Sequence, residues 1–142
     1  MKAYKKILVP SDLSESCAIA AHQARQLASV FDSEVLVLHV VDYLPPAYMS
    51  AEIPAEFSSK ELLIARATET LEKWAVENGL QDCKTLVEIG RPKKVIVTQI
   101  KEQEVDLVVM APYHRDGIAL FFGSVANAVA QATDVDVLIA RQ

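Results

Sequence analysis

The chain has 142 residues, of which 51% are hydrophobic and 23% are charged. This balance excludes a disordered chain, and the length predicts one domain whose core needs neither disulfides nor metal. The 14 basic and 19 acidic side chains give a formal net charge of −5. That charge argues against nucleic-acid binding, because affinity for phosphate depends on clustered Lys and Arg.

Cysteine content and hydropathy bear on the location of the protein. Cys17 and Cys83 are too few for a disulfide framework. The N-terminal residues lack the apolar stretch of about 7–15 residues that a signal peptide needs, and no run reaches the roughly 18 apolar residues of a membrane helix. We therefore expect a soluble, cytoplasmic protein without a membrane partner, folded as a single domain over residues 1–142.

The first third of the chain alternates an apolar run with a helical pattern. Ile7–Val9 is rich in β-branched residues and is typical of a strand buried on both faces of a parallel sheet. Ser14 is a candidate N-cap for a helix whose apolar, mostly alanine face reaches Phe31. Val35–Val41 predicts the second strand, and residues 42–58, which contain three prolines, predict a long irregular segment.

The middle of the chain repeats this alternation. The spacing of apolar residues predicts a helix from about Ser59 to Asn78, which Gly79 ends. Thr85–Ile89 predicts a third strand that lies nearer an edge of the sheet, because it is less apolar than the others. Gly90-Arg91-Pro92 predicts a turn with proline in the first helical position.

The last third predicts two further strands. Leu107–Ala111 is the fourth, and a loop from Pro112 to Phe122 follows it. Gly123-Ser124 is predicted to open a short helix, and Val135–Ala140 forms the fifth strand. Strands that alternate with helices indicate a doubly wound parallel α/β sheet with helices on both faces, in which ligands bind at the carboxyl ends of the strands.

Four segments resemble the universal stress protein family in the expected order. They are Lys6–Glu15, Leu38–Val41, Gly90-Arg91-Pro92, and Asp106–Met110 followed by Gly123–Ala126. The resemblance covers the chain from about Lys5 to Arg141. It implies a Rossmann-like, five-stranded parallel sheet of order 3-2-1-4-5 and a cytoplasmic protein of the stress response.

Some members of that family bind ATP through a pattern of Gly, two residues, Gly, nine residues and Gly-Ser or Gly-Thr. Here Ala111 stands at the first glycine and His114 at the second, and eight residues separate His114 from Gly123. Gly123-Ser124 is retained, so the chain is similar to members with a degraded motif. Ala111 is harmless if its φ is negative, whereas His114 either obstructs a phosphate or donates to it.

The resemblance and the strand ends together define a candidate adenine-nucleotide site. Its residues are Pro10, Ser11, Asp12, Val40, Met110, Ala111, His114, Gly123, Ser124 and Val125. Asp12 would lie near ribose or metal, Val40 at the adenine, and the N–H groups of Ser124 and Val125 at the phosphates. Asp12 has an equal alternative as an Asx turn or helix cap, and Ser124 as a plain N-cap.

No residue pattern predicts turnover chemistry. The sequence shows no paired carboxylates, no nucleophile with a partner His, and no metal-ligand spacing. His39 is expected to be a satisfied strand histidine, and Cys17 and Trp74 are expected in the core. The sequence thus favours a non-enzymatic stress-response protein without a certain cofactor. The alternative is an ATP-binding switch, while an enzyme on the same sheet has no supporting motif.

The last strand predicts a homodimer. Val135–Ala140 is an apolar strand at the expected edge of the sheet, and such an edge invites pairing with another chain. In the family that the chain resembles, this edge meets its own copy about a two-fold axis. We therefore expect a symmetric dimer through residues 135–141.

Overall fold

A computed structural model of the protein describes residues 3–42, 59–111 and 120–141. Strands and helices alternate along these residues. The elements are β1 (Lys6–Pro10), α1 (Glu15–Phe31), β2 (Glu34–Val41), α2 (Lys60–Glu77), β3 (Lys84–Ile89), α3 (Pro92–Glu102), β4 (Leu107–Met110), α4 (Leu120–Ala132) and β5 (Asp136–Ile139).

The strands form one parallel sheet of order β3-β2-β1-β4-β5, which confirms the predicted fold. The first two crossovers move the chain from β1 towards β3, and the last two move it back towards β5. Because such crossovers are right-handed, this reversal puts α1 and α2 on one face of the sheet and α3 and α4 on the other. α3 and α4 contact each other, as this arrangement requires.

The core lies on both faces of the three central strands. Ile7, Leu8 and Val9 of β1 are 0% exposed, and all four residues of β4 are buried. Full burial on two faces explains why these strands show an unbroken apolar run instead of alternation. The alanine face of α1 is buried as predicted, which lets this helix lie close to the sheet, and Trp74 of α2 is also in the core.

The two outer strands are less buried. No residue of β3 is fully buried, which confirms its predicted place at an edge, and β5 occupies the other edge. Hydrogen bonds link the residues at the start of β1 to those at the starts of β4 and β5. Tyr4 donates to the Asp136 carboxylate at the start of β5 over 2.7 Å, and the Asp106 carboxylate accepts from the N–H groups of Lys5 and Lys6.

The helix boundaries follow local capping chemistry in two helices and depart from the prediction in a third. Ser14 and Ser59 cap α1 and α2 with their side-chain oxygens, and Asn78, the predicted end of α2, is its C-cap. α4 begins at Leu120, so the prediction that Gly123-Ser124 opens this helix is wrong by three residues. The predicted irregular segment 42–58, beyond its first residue, and the segment 112–119 lie outside the described residues.

A helix that crosses a membrane must be both long and apolar. None of the helices in residues 3–42, 59–111 and 120–141 is long and apolar enough to cross a bilayer.

Gly90 makes the turn after β3, and its replacement by alanine should destabilise the protein. Its φ is +149°, and a Cβ there would lie 2.8 Å from Cγ2 of Val95. We expect Gly90→Ala to lower the free energy of unfolding by about 2–4 kcal/mol through backbone strain and overpacking. The matched control is Gly79→Ala, where φ is +69° and the nearest atom is 3.9 Å away, so the loss should be about 1 kcal/mol. Urea denaturation measures both, and equal losses would contradict this account.

Candidate functional site

The candidate site lies where the strand order reverses. β1 is flanked by β2 and β4, and the connections that follow β2 and β4 lie on opposite faces of the sheet. In a sheet of this kind, ligands bind in a crevice outside the carboxyl ends of the strands at this reversal. Leu8 pairs with Val108, so Met110 and Ala111 come level with Pro10 and Ser11.

The second flank of the crevice is formed by β2. Pro10 pairs with Leu38, which puts Val40 two residues beyond the end of β1 on the neighbouring strand. The fold therefore brings together six of the ten predicted residues, on the ends of three adjacent strands. Those six are Pro10, Ser11, Asp12, Val40, Met110 and Ala111.

These six residues differ in what they expose. Pro10, Ser11, Met110 and Ala111 are buried, and Val40 is half-buried against the core. Asp12 is exposed and is the only one of the six with a charge. Among these residues, a ligand at the strand ends would therefore meet backbone groups and a single carboxylate.

The remaining predicted residues belong to the segment after β4. Gly123, Ser124 and Val125 are the fourth, fifth and sixth residues of α4, and the Val125 side chain is fully buried. The free N–H groups of a helix belong to its first turn, so those of Ser124 and Val125 fall within the hydrogen-bonded part. His114 lies outside the described residues.

The turn between β1 and α1 is closed by its own side chains. The Ser11 Oγ accepts from the N–H of Leu13 over 3.0 Å, and the Asp12 Oδ1 accepts from the N–H of Ser14 over 3.0 Å. Leu13 has a φ of +67°, a left-handed conformation that side-chain-bearing residues rarely adopt. Asp12 therefore forms the Asx turn that the sequence left as one of its two roles.

Cys17 of α1 also makes polar contacts to this turn, which the sequence did not predict. It is fully buried on α1, as predicted, and its thiol donates to the Asp12 Oδ1 over 3.0 Å. The N–H of Asp12 lies 3.4 Å from the same sulfur. A spacing of five residues across a strand end and a helix start carries no recognisable signal, because the contact depends on the turn that joins them.

The carboxyl and the thiol hold opposite protonation states. Partial desolvation by its neighbours raises the pKa of the Asp12 carboxyl, but hydrogen bonds from Ser14 and Cys17 outweigh this effect and leave the pKa below its ordinary value of 3.8. Burial, together with the nearby Asp12 charge, raises the pKa of the Cys17 thiol to about 11. Near neutral pH the pair is thus a carboxylate and a neutral thiol donor.

His39 contacts the same turn from β2. Its Nδ1 lies 2.8 Å from the carbonyl oxygen of Ser11, and since a carbonyl only accepts, Nδ1 carries the proton. The ring is half-buried and has a fixed partner, which confirms the prediction of a satisfied strand histidine.

In the part of the chain that the structure describes, no group of three or more His, Cys, Asp or Glu side chains lies close enough together to hold a metal ion.

Comparison with known proteins identifies the family. Residues 3–141 match the sequence model of the universal stress protein family. The chain belongs to this family. A universal stress protein from Methanocaldococcus jannaschii is 34% identical over 143 residues, which cover 98% of this chain and 83% of the relative. Universal stress protein A homolog 2 from Coxiella burnetii is 29% identical over 142 residues, which cover 99% and 97%.

Solved structures of other universal stress proteins share the fold. The universal stress protein UspA from Lactobacillus plantarum superposes with a TM-score of 0.75 at 25% identity, covering 99% of this chain and 100% of that one. A universal stress protein in complex with cAMP has a TM-score of 0.64 at 23% identity, covering 99% and 98%. One from Archaeoglobus fulgidus in complex with dAMP has a TM-score of 0.64 at 19% identity, covering 99% and 100%.

Asp12 should make the stability of the protein depend on acid pH. Its pKa is lower in the folded than in the unfolded chain, so the carboxylate stabilises the fold above its ordinary pKa, and this contribution is lost as the pH falls through the folded value. In Asp12→Asn the amide oxygen still accepts from Ser14 but carries no charge. We expect this variant to be less stable than the parent at pH 7 by less than about 1 kcal/mol, because exposed charges are screened.

The difference between the two proteins should shrink below about pH 4. Urea denaturation at a series of pH values measures it. A difference that stays constant from pH 7 down to pH 2.5 would contradict the assigned role of the carboxylate.

Proposed function

We propose that this universal stress protein is a non-enzymatic, cytoplasmic stress-response protein, a single domain over residues 1–142, with a partly degraded adenine-nucleotide site. The observation that carries the proposal is the position of Asp12, which is held as a carboxylate at the strand-order reversal, beside the ends of β2 and β4. Family members in complex with cAMP and dAMP support an adenine nucleotide as the ligand class.

Two observations support a degraded site. The N–H groups of Ser124 and Val125 lie within the hydrogen-bonded part of α4, so they are not free to bind phosphate in this conformation. His114 also takes the place of a glycine that would let a phosphate approach the backbone.

The chemistry of the site supports a binding role over catalysis. A pKa of about 11 keeps Cys17 a thiol near neutral pH, and only the thiolate is a good nucleophile. The Nδ1 of His39 is committed to the Ser11 carbonyl, and Asp12 to the Asx turn. None of these groups is arranged as a nucleophile with its base.

The alternative is an ATP-binding protein that acts as a nucleotide-dependent switch. The backbone of Ala111 favours it, because the positive φ values of described residues other than glycine belong to Leu13, Asp32 and Glu104. Ala111 therefore adopts a φ that any residue tolerates, and replacement of the first glycine does not by itself close the site. The two proposals then differ at His114.

Titration calorimetry with ATP distinguishes these proposals. If His114 obstructs the phosphate, His114→Gly should tighten binding by about tenfold, which corresponds to ~1.4 kcal/mol. Ala111→Gly is the matched control and should change the affinity less than about threefold, since the backbone at Ala111 is unstrained. If His114 instead donates to the phosphate, His114→Gly should weaken binding by about 1–2 kcal/mol.

The parent protein provides the deciding measurement. Dissociation constants in the micromolar range or below for the unaltered chain would overturn the degraded site and favour the switch. No binding of either ATP or dAMP by any of the three proteins would overturn an adenine-nucleotide site altogether.

We further propose that β5 pairs with a second copy of the chain through residues 135–141. The N–H of Ala140 donates to the Met110 carbonyl, so even-numbered residues of β5 face β4 with their backbone groups. Neighbouring residues point their backbone groups to opposite sides, and those of Val137 and Ile139 therefore face the outer edge. Ile139 is also among the more exposed large hydrophobic residues, at 36%.

A proline at the outward-facing position tests this dimer. Ile139→Pro removes an N–H that has no role in the β4–β5 ladder, so it should yield a folded monomer. Ile139→Ala controls for the lost side chain and should remain dimeric, whereas Leu138→Pro should disrupt the ladder itself and lower the melting temperature. Light scattering with size-exclusion chromatography gives the mass, and a dimer of Ile139→Pro or a monomer of the parent would refute this interface.

A further inference from the structure

The contact between His39 and Ser11 replaces a regular hydrogen bond of the sheet. Ser11 follows β1 and donates its N–H to the Leu38 carbonyl over 2.8 Å, which continues the β1–β2 ladder by one step. In a regular parallel ladder the Ser11 carbonyl would next accept from the N–H of Val40. Its partner is instead Nδ1 of His39, at 2.8 Å. A side chain of β2 thus holds the residue from which the turn departs.

That turn needs to be held from outside. Leu13 adopts a φ of +67°, and such a backbone persists only where surrounding contacts determine it. The Ser11 Oγ accepts from the N–H of Leu13, and Asp12 accepts from Ser14, so both contacts depend on where Ser11 sits. Ser11 is buried, and His39 and Leu38 bind its two backbone groups.

We propose that His39 is a positioning residue for the ligand site: by binding the Ser11 carbonyl, it sets the turn that presents the Asp12 carboxylate. His39 immediately precedes Val40, the residue of β2 that we expect to contact the adenine. Its hydrogen bond to Ser11 therefore links this part of β2 to the turn in which Asp12 is expected to contact the ribose. The inference rests on the proposed adenine-nucleotide site, but its effect on the turn can be measured without any ligand.

Two variants of nearly equal shape isolate the hydrogen bond. In His39→Asn the side-chain Nδ2 can donate from about the position of the imidazole Nδ1, whereas His39→Leu has the same branching and no donor. Asn is disfavoured in strands, so propensity alone would make His39→Asn the worse of the two. His39→Gln is a further variant, which moves the donor one bond away and should behave like His39→Leu.

Amide hydrogen exchange measures the turn directly. We expect His39→Leu and His39→Gln to speed exchange at Leu13 and Ser14 by about five- to tenfold, the effect of one lost hydrogen bond. His39→Asn should stay within about threefold of the parent at both amides. The amide of Val37, inside β2, serves as the internal reference and should be unchanged in all variants. Equal exchange at Leu13 and Ser14 in the four proteins would overturn the inference.

Nitrogen-15 spectra of the imidazole report the tautomer of His39. The structure requires the proton on Nδ1, because the Ser11 carbonyl can only accept. A neutral ring protonated only at Nε2 would overturn the inference.

ATP titration, in the His114→Gly background if the parent binds too weakly to measure, separates the two proposals. A five- to tenfold loss of affinity in His39→Leu that His39→Asn restores supports the positioning role. Faster exchange at the turn with unchanged ATP affinity overturns that role and leaves the nucleotide site intact. No binding of either ATP or dAMP in any background overturns the proposed site itself.

Discussion

Burial of β1 on both faces is the constraint on which the rest of this structure depends. Ile7, Leu8 and Val9 are completely shielded, with α1 over one face and β2 and β4 alongside. An unpaired polar side chain inside these strands would cost several kcal/mol, so groups that could bind a ligand are confined to the strand ends. The reversal of strand order then decides which ends form a crevice, because only there do the connections diverge.

The end of β1 is ordered by contacts from α1 and β2. The thiol of Cys17 remains protonated because it is buried, and so it can donate to a carboxylate that remains charged. His39 binds the Ser11 carbonyl from β2, and Ser14 both caps α1 and donates its N–H to Asp12. The carboxylate thus has a fixed position in a turn that contains a left-handed leucine. Such order lowers the cost of binding, because less freedom is lost when a ligand arrives.

The two edge strands of the sheet, β3 and β5, differ in how far other parts of the chain cover them. β3 is partly covered by α2, and at its end the N–H of Gly90 donates to the Val41 carbonyl. β5 is only four residues long and keeps the backbone groups of alternate residues on its outer side. An edge strand with apolar side chains and unpaired backbone groups is suited to pairing with its own copy, since pairing satisfies these groups and buries the side chains together.

The order of elements was readable from the sequence because each one is determined by neighbouring residues. Unbroken apolar runs predicted strands buried on two faces, Ser14 and Ser59 predicted helix starts, and the weaker run at Thr85–Ile89 predicted an edge. The start of α4 was predicted wrongly because Gly123 is a poor helix former, while the fold extends the helix back to Leu120. The contacts of Cys17 and His39 were decided only by the tertiary structure. The β1–α1 turn brings Cys17 to Asp12, and the pairing of β1 with β2 brings His39 to Ser11. No local sequence pattern predicts contacts of this kind, because they depend on how separate segments pack.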